Sequence, residues 1–332
     1  MNIADEVKHA QTIGISGHVR PDGDCVGSVM GLYLYLKKSL PKAQIDIYLE
    51  QPADIFNCIC DIDKICSDFS TDKEYDAYFA LDCNLERLGE AEHIFKKAVK
   101  KINIDHHISN SGCGLLNFLE PERSSTCELL YELMDKSRID EEIAKALYIG
   151  IIHDTGVFQY SNTSPRTLEI ASELIKFGFD FSKIINETFY EKTYLQSQIM
   201  GRAILESIRF MGGKCIFSIV SKKNMDFYMV TPKDLDGIVN QLMSVKGVEC
   251  AIFMYETKPM EYKVSMRSGG NVDVADVAVK FGGGGHVRAA GCTMHGTHHD
   301  VINNLSVYIE EQLKEKEEAK EDIDKEKSGN MG

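Results

Sequence analysis

One imidazole and two carboxylates, those of His18, Asp22 and Asp24, lie on a single turn directly after an apolar run at residues 13–16. A proline and a glycine restrict the backbone of this turn, so its side chains can converge on one point. Carboxylate oxygens and an imidazole nitrogen are ligands for hard and borderline metal ions. Because a strongly apolar segment follows, the pattern predicts a metal site between a buried strand and a buried helix.

Further candidate ligands occur later in the chain. They lie at the ends of apolar segments or directly after them, and they are Asp82, Asp105, His106, His107 and Asp154. In a parallel α/β sheet the carboxyl ends of the strands gather along one edge, where ligands bind. We therefore expect these side chains to meet the turn at residues 18–24 and to complete one site.

The order of the apolar segments predicts an α/β fold. The strand-like segments lie at residues 12–17, 44–49, 78–81 and 101–104. Helix-like segments at residues 26–40 and 85–99 alternate with them, which indicates a right-handed, doubly wound parallel sheet. From residue 124 onward, helical spacing predicts a helix with serine caps, a second helix that carries Asp154 at its end, and a third at 165–176.

The length of 332 residues favours two domains. We expect a catalytic domain over residues 1–185, a helical linker over 186–205, a smaller α/β domain over 206–315 and a charged, disordered tail over 316–332. In the smaller domain we predict two helices, at residues 233–245 and 272–280, and a final helix with an apolar stripe at 302–313. The strands expected there lie at 204–210, 214–220, 249–256 and 261–267.

The motifs of the first domain resemble those of the DHH phosphoesterase superfamily, in the same order. They are the histidine and paired aspartates of residues 18–24, the strand-end Asp82, the Asp-His-His of residues 105–107 and the His-Asp pair at 153–154. The resemblance implies a metal-dependent phosphoesterase with a doubly wound catalytic domain.

A glycine-rich segment at residues 282–291, which contains His286 and Arg288, resembles the DHHA1 domain of the same superfamily. Together the motifs are similar to those of the NrnA-type nanoRNases, which are also phosphatases of 3'-phosphoadenosine-5'-phosphate (pAp). This implies a hydrolase that cleaves very short oligoribonucleotides, including linear dinucleotides such as pGpG and pApA, to 5'-mononucleotides. It also implies removal of the 3'-phosphate of pAp.

The resemblance assigns ligands to two metal ions. One ion would be held by His18, Asp22 and Asp82. The second would be held by Asp24, His106 and Asp154, with Asp82 bridging both ions and so taking part in catalysis. Because oxygen ligands outnumber imidazoles, Mn²⁺ suits this set better than zinc, and Mg²⁺ or Co²⁺ are alternatives. A two-metal mechanism with hydroxide as the nucleophile follows.

Four polar residues near these ligands have other expected roles. We predict that Asp105 orients an imidazole rather than binding metal, and that His107 stabilises the transferring phosphate or protonates the leaving oxygen. His153 is either a supporting residue or an ordinary hydrogen-bonded histidine. Arg20 either contacts phosphate or forms a surface salt bridge.

The glycine run exposes backbone N–H groups that phosphate or ribose oxygens can approach. We expect Gly284, Gly285, His286 and Arg288 to bind substrate, together with Arg267 and Ser268 at the end of a predicted strand. Such a clamp for the terminal phosphate would count nucleotides from one end, so it would favour very short substrates.

Composition narrows the partners and the compartment. A net charge of −14 argues against binding along a long nucleic acid, which requires many cations. The ten cysteines lack framework spacing, and no further ligands complete a soft-metal site around residues 58–66. With no signal-peptide pattern and no apolar run of membrane-spanning length, we expect a cytoplasmic protein. An apolar patch on the linker is compatible with a homodimer.

Other members of the superfamily remain as alternatives. A RecJ-like single-strand exonuclease usually has additional DNA-binding domains and a more basic surface. A family II pyrophosphatase lacks the glycine-rich histidine motif, and a membrane cyclic-dinucleotide phosphodiesterase needs membrane spans. A soluble cyclic-dinucleotide phosphodiesterase stays open. A regulator with a degenerate site would lack ligands, but every motif carboxylate and histidine is present.

Overall fold

The structure is a computed structural model that describes residues 2–329, with the backbone alone at residues 317 and 319–329. The chain divides into two compact units, of which the first ends at Glu191 and the second begins at Lys192. Each unit has its own buried core. The boundary lies within the segment 186–205 that was predicted as a linker, so the two units meet in sequence without a separate helical connector.

The first unit is a parallel sheet flanked by helices. Its strands are β1 (Thr12–Ser16), β2 (Gln44–Tyr48), β3 (Ile65–Cys66), β4 (Ala77–Leu81), β5 (Lys100–Asp105) and β6 (Leu116–Leu119). Its helices are α1 (Ile3–Glu6), α2 (Gly23–Ser39), α3 (Glu92–Lys97), α4 (Thr126–Leu133), α5 (Glu141–Asp154), α6 (Pro165–Ile175) and α7 (Phe181–Ile185).

The strand order of this sheet is β3-β2-β1-β4-β5-β6, and all neighbouring strands are parallel. The chain winds outward from β1 in one direction and from β4 in the other, so the order reverses between these two strands. In doubly wound sheets this reversal opens a crevice at the carboxyl ends of the strands, where ligands bind. His18 follows β1 and Asp82 follows β4, so both lie at the switch point. The predicted doubly wound sheet is confirmed.

Helix α2 begins at the turn because the side chain of Asp22 accepts a hydrogen bond from the backbone N–H of Cys25 at 3.1 Å. The helix then packs closely along α5. A Cβ atom at Gly27 would lie 2.6 Å from the carbonyl oxygen of Ala146, so only glycine permits this approach. The packing holds the start of α2 and the end of α5, with Asp154, beside the same sheet edge.

Two features of the first unit differ from the sequence-based expectation. The segment predicted as one helix at 85–99 is a 3₁₀ stretch, Leu85–Ala91, broken at Gly89 by a φ of 57°, followed by the short α3. Strands β3 and β6 were not predicted, since two and four residues are too few to show a periodic pattern.

The second unit is a mixed sheet in the order β11-β12-β10-β9-β8-β7, in which only β8 and β9 pair in parallel. The strands are β7 (Ile208–Phe210), β8 (Cys215–Val220), β9 (Cys250–Lys258), β10 (Glu261–Ser268), β11 (Gly284–His286) and β12 (Ala289–His295). The helices are α8 (Tyr194–Leu205), α9 (Lys222–Tyr228), α10 (Ile238–Met243), α11 (Val274–Val279) and α12 (His298–Gly329). The predicted smaller α/β domain is confirmed.

Several details of this unit differ from the prediction. The strand expected at 204–210 begins only at Ile208, because α8 continues to Leu205. Helix α9 and strand β12 were missed, and part of the glycine run is strand β11 rather than a loop. The predicted disordered tail is helical backbone over residues 316–329, and residues 330–332 lie outside the described residues.

Among residues 2–329, no helix combines the length and the apolar character needed to cross a bilayer.

Candidate metal centre

His18 lies at the end of β1 with one ring nitrogen held and the other facing carboxylates. Its Nδ1 atom is 2.9 Å from the carbonyl oxygen of Val19. Its Nε2 atom is buried and has no hydrogen-bond partner, at 3.5 Å from Asp22 Oδ1 and 3.4 Å from Asp82 Oδ2. Burying a polar nitrogen without a partner is costly. A cation between this nitrogen and the two carboxylates would satisfy it, so the donor set fits a metal ion.

Asp82 faces two imidazoles with its two carboxylate oxygens. While Oδ2 faces His18, Oδ1 lies 3.6 Å from His106 Nε2 and accepts a hydrogen bond from the hydroxyl of Thr126 at 3.0 Å. The backbone of Asp82 adopts a φ of 57°, in the left-handed region that few residues other than glycine occupy. Such strain is often found at functional sites, and here it aims the carboxylate out from the end of β4.

His106, Asp154 and Asp24 form a second cluster on the far side of Asp82. His106 Nε2 lies 3.3 Å from Asp154 Oδ2 and 3.9 Å from Asp24 Oδ2. The other ring nitrogen of His106 is 3.2 Å from the carbonyl oxygen of Arg123, which fixes the orientation of the ring. Asp24 also accepts hydrogen bonds from two backbone N–H groups at the start of α4, those of Thr126 at 2.7 Å and Cys127 at 3.0 Å.

The structure thus brings together all six side chains to which the family resemblance assigns metal. The potential ligand atoms form overlapping groups, and within each group the atoms lie within 4.8 Å of one another. The groups are His18 with Cys25 and Asp82; Asp24 with His106 and Asp154; and Asp82 with Asp105, His106 and His107. Cys25 was not expected: its sulfur accepts a hydrogen bond from the backbone N–H of His18 at 3.3 Å.

The carboxyl groups of Asp24 and Asp154, which lie close together at this edge of the sheet, have raised pKa values. Burial, followed by the charges of Asp82 and Asp154, raises the pKa of Asp24 well above its ordinary value. Burial raises the pKa of Asp154 to about 7, although the charge of His106 opposes the shift. Burial disfavours the charged carboxylates and their mutual repulsion adds to this, and a divalent cation would offset both effects.

The pKa values of His18 and Asp22 shift in opposite directions because the two side chains pair with each other. Burial lowers the pKa of His18, but the nearby carboxylates of Asp22 and Asp82 outweigh burial and raise it. Desolvation by the neighbouring groups would raise the pKa of Asp22, but its interaction with His18 outweighs this effect and lowers the pKa to about 2. Asp22 is therefore ionised at neutral pH, as a metal ligand must be.

Asp105 orients His107 rather than the neighbouring His106. Its Oδ1 atom lies 2.7 Å from His107 Nδ1 and also accepts the backbone N–H of His106 at 2.7 Å. The hydrogen bond with Asp105 raises the pKa of His107. Burial alone would raise the pKa of Asp105, but the hydrogen bond with His107 outweighs it and lowers that pKa. Asn110 donates to the other oxygen of Asp105 at 2.6 Å, which completes its support.

Two side chains of the site, those of Arg87 and Thr126, were not predicted from the sequence. Arg87, in the 3₁₀ stretch after β4, has a guanidinium nitrogen 3.4 Å from His107 Nε2, and its charge lowers the pKa of Asp22. The signal in the sequence is its position five residues after Asp82, but the pattern at residues 85–99 predicts a helix. Thr126 lies at the start of a predicted helix, and its hydroxyl donates to Asp82.

Three residue groups that the sequence left open lie outside the cluster. His153 packs against the rings of Phe56 and Phe189, at 5.2 and 5.5 Å between centroids, and burial lowers its pKa to about 4. Its Nε2 atom lies 3.2 Å from Thr188 Oγ1, which favours the ordinary hydrogen-bonded histidine. The backbone N–H of Arg20 donates to Glu50 at 2.7 Å, so Arg20 anchors the turn through its main chain. Among the described residues, the cysteines at 58–66 belong to no group of clustered ligands.

The substrate residues predicted in the second unit lie at the ends of β10, β11 and β12. Arg267 donates through Nε to Asn240 at 2.9 Å, and its register partner in β12 is Ala289. Ser268 is buried, and its hydroxyl accepts from the backbone N–H groups of Gly270 and Val272 at 3.0 and 3.3 Å. The hydroxyl of Ser268 therefore shapes a turn.

His286 and Arg288 are exposed on either side of the turn between β11 and β12. The backbone carbonyl of Arg288 accepts the N–H of Ser268 at 3.0 Å. This bond ties the β10 end that carries Arg267 to the β12 start. Three cationic or donor side chains are therefore grouped on neighbouring strand ends of this unit.

The glycines of the run differ in what surrounds them. A Cβ atom at Gly283 would lie 2.2 Å from the carbonyl oxygen of Gly291, and one at Gly285 would lie 2.4 Å from that of Ala289. These two glycines are required by the close approach of β12. A Cβ atom at Gly284 would meet nothing within 4 Å, so this position is open to a ligand.

Family models match both units and define the class of protein. Residues 12–151 match the N-terminal domain of the DHH family, and residues 212–315 match the DHHA1 domain. The chain is therefore a phosphoesterase of the metal-dependent DHH class, a hydrolase whose acidic and histidine cluster could bind metal.

Curated relatives make the assignment more specific. The chain is 31% identical over 290 residues to the bifunctional oligoribonuclease and PAP phosphatase NrnA of Mycoplasma genitalium, covering 86% of this chain and 89% of that protein. It is 29% identical over 289 residues to the NrnA of Thermus thermophilus, covering 86% and 84%. The chain belongs to the NrnA family of DHH/DHHA1 phosphoesterases.

A solved structure shares the fold along most of its length. The exopolyphosphatase-related protein of Bacteroides fragilis superposes with a TM-score of 0.86 at 27% identity, covering 93% of this chain and 96% of that one. The architecture described above is therefore that of a known DHH protein.

Proposed function

We propose that this chain hydrolyses very short oligoribonucleotides, including linear dinucleotides, to 5'-mononucleotides and removes the 3'-phosphate of pAp. The names of the NrnA relatives, oligoribonuclease and PAP phosphatase, support both substrates. The observation that carries the proposal is the carboxylate of Asp82, whose Oδ2 faces His18 at 3.4 Å and whose Oδ1 faces His106 at 3.6 Å. A carboxylate that faces two imidazole-containing ligand sets suits a bridge between two metal ions.

In this proposal His18, Asp22 and Asp82 would hold one ion, and Asp24, His106 and Asp154, together with Asp82, would hold the second. Oxygen-rich ligation favours Mn²⁺, with Mg²⁺ or Co²⁺ as substitutes. When bound, two such ions supply Lewis acidity that lowers the pKa of water and offsets the charge of the phosphate. The buried, unpartnered Nε2 of His18 supports this assignment.

Three residues beside the ligands have roles toward the substrate. His107, held by Asp105 at 2.7 Å, has a raised pKa and can carry the proton that the leaving oxygen needs. Arg87 lies against the same imidazole and presents a guanidinium, which suits a phosphate oxygen. Asp105 acts through His107.

The second unit would bind the terminal phosphate of the substrate. Arg267, His286 and Arg288 provide cationic or donor groups on neighbouring strand ends, and the N–H groups of Gly284 and Gly285 lie on the exposed strand β11. Ser268 would support this group by shaping the turn after Arg267. The preference for short substrates, the cytoplasmic location and the homodimer remain predictions.

A time course with Mn²⁺ tests the function. The substrates are oligoribonucleotides labelled at the 5' end, from dimers to long strands, together with pAp, a cyclic dinucleotide and pyrophosphate. Rapid conversion of the shortest oligomers to mononucleotides is expected, with activity abolished by Asp82→Ala and retained by Asp63→Ala, whose exposed carboxylate pairs with Lys64. Equal cleavage of long strands or of the cyclic compound would reject the proposal.

Arg267 tests the clamp separately. Arg267→Ala should remove the preference for dinucleotides with a 5'-phosphate over those with a 5'-hydroxyl, while cleavage of the 5'-hydroxyl substrate persists. An unchanged preference would reject the clamp and leave the metal centre intact.

A further inference from the structure

A cavity of about 230 Å³ lies in the first unit, and His18 is one of the residues that line it. It is formed at the carboxyl ends of β1 and β2 and is closed by the 3₁₀ stretch after β4. A second, wider space of about 520 Å³ continues from it and shares Ser67, Phe69 and Glu90 in its lining. The cavity therefore has an open approach, and one of its walls belongs to the candidate metal centre.

The walls of this cavity combine apolar surface with carboxylates. Leu88 and Tyr48 are buried and form apolar surface, and Phe69 is a half-buried aromatic residue, 6.4 Å from Tyr48 between ring centroids. Glu50 and Glu90 also line the cavity. Glu50 is held in place because its Oε2 accepts the backbone N–H of Arg20 at 2.7 Å.

Carboxylates in this position disfavour the phosphate of a nucleotide and favour its base. A phosphate would be repelled by Glu50 and Glu90, so the backbone of a nucleic acid cannot occupy the cavity. A nucleobase brings a flat ring that stacks on an aromatic side chain and N–H groups that a carboxylate accepts. Neither glutamate belongs to a group of clustered metal ligands among the described residues, so a cation is less suited than a base.

We propose that this cavity binds the base of the nucleotide whose phosphate reacts at the metal centre, and that its glutamates select guanine. This inference rests on the proposed hydrolysis of short oligonucleotides. Guanine presents two adjacent donors, N1–H and the 2-amino group, which one carboxylate accepts together. Adenine and cytosine each present one amino group on the corresponding edge, and uracil presents one ring N–H.

Binding of mononucleotides to the full-length, Mn²⁺-loaded protein tests the proposal by calorimetry. GMP should bind about tenfold more tightly than AMP, since one additional charge-assisted hydrogen bond is of that order. IMP lacks the 2-amino group and should bind with intermediate affinity. Equal affinities for GMP, IMP and AMP would overturn the proposal without the use of any variant.

The glutamates are tested by a double variant, Glu50→Gln with Glu90→Gln. A glutamine at position 50 can still accept the Arg20 N–H, so the turn is retained. The preference for GMP over AMP should fall to nearly equal binding, whereas Glu74→Gln, an exposed carboxylate outside the cavity lining, should retain it. A preference unchanged in the double variant would overturn the assignment. Loss of one bound Mn²⁺ equivalent in that variant would assign the cavity to a cation and would also overturn it.

Rates of pGpG and pApA hydrolysis distinguish a failure of this inference from a failure of the proposed function. If the wild-type protein hydrolyses neither pGpG nor pApA, the proposed function fails, while the GMP and AMP affinities still decide the base site. If it hydrolyses both with equal kcat/KM and binds GMP and AMP equally, the base site fails and the proposed function stands. A higher kcat/KM for pGpG that disappears in the double variant supports both.

Discussion

The hydroxyl of Thr126 donates a 3.0 Å hydrogen bond to Oδ1 of Asp82, across 44 positions of sequence. Both residues are buried, and the backbone N–H of Thr126 also donates to Asp24 at 2.7 Å. The first residue of α4 thus contacts the carboxylate that would bridge the two ions and a carboxylate of the second cluster. Because groups that support metal ligands orient them and tune their affinity, Thr126 is expected to act as a positioning residue.

Thr126→Val should weaken Mn²⁺ binding by about 10- to 100-fold, the usual effect of removing a group that supports a ligand. Valine keeps the shape and removes the hydroxyl that orients Asp82. Thr126→Ser is the matched control and should bind Mn²⁺ nearly as the wild type does. Calorimetric titration of Mn²⁺ measures the affinity directly. Wild-type affinity in Thr126→Val would show that the hydrogen bond does not position Asp82.

Asp105→Asn should move the alkaline limb of the rate profile to lower pH. The hydrogen bond with Asp105 raises the pKa of His107, so removing the negative charge lowers that pKa. If protonated His107 supplies the proton, activity falls as pH rises through its pKa, and a lower pKa brings this loss to lower pH.

Profiles of kcat against pH for the wild type and Asp105→Asn, with NMR titration of the His107 ring, measure the shift. If the NMR pKa falls while the alkaline limb stays in place, another group is the acid. Asn110→Ala is a milder comparison, because it removes a donor to Asp105 but keeps the charge.

The metal-site residues could be predicted because each follows an apolar segment, and parallel strands place their carboxyl ends on one edge. Which of these side chains pair with one another within the site could not be predicted. Asp105 precedes two adjacent histidines, and which ring it holds depends on the backbone path after β5. Arg87 was hidden because its segment has the composition of a helix, whereas the chain there turns at Gly89.

In the second unit, the sequence likewise could not distinguish the roles of neighbouring glycines. Gly284 and Gly285 are adjacent and identical in sequence, yet one is open and the other is confined by Ala289. The difference depends on strand β12, which is formed by long-range pairing with β10 and has no strong local pattern. A glycine required by a neighbouring strand therefore cannot be distinguished by sequence from one required by a ligand.

Glu128→Ala should destabilise the first unit by about 2–4 kcal/mol, since it removes the acceptor of two buried hydroxyls. Oε2 of this buried carboxylate accepts from Ser124 Oγ at 2.5 Å and Thr167 Oγ1 at 2.7 Å. Glu128→Gln retains an acceptor and should lose less stability. Urea unfolding measures both variants. A loss below about 0.5 kcal/mol in Glu128→Ala would mean that the hydroxyls find other partners.

Gly285→Ala and Gly284→Ala should separate stability from substrate binding in the glycine run. Gly285 has a φ of 149°, and a Cβ atom there would lie 2.4 Å from the carbonyl oxygen of Ala289, so alanine should destabilise the second unit by about 2 kcal/mol. Gly284 has no such neighbour, so alanine there should change stability by less than about 0.5 kcal/mol.

If the open position lies against substrate, Gly284→Ala should nonetheless raise KM for short oligonucleotides, because the added methyl group blocks the approach to the backbone N–H groups of β11. Thermal unfolding and steady-state kinetics on the same preparations distinguish the two effects. A Gly284→Ala protein with wild-type KM would remove this glycine from the substrate site, and a Gly285→Ala protein with wild-type stability would show that β11 can move away from β12.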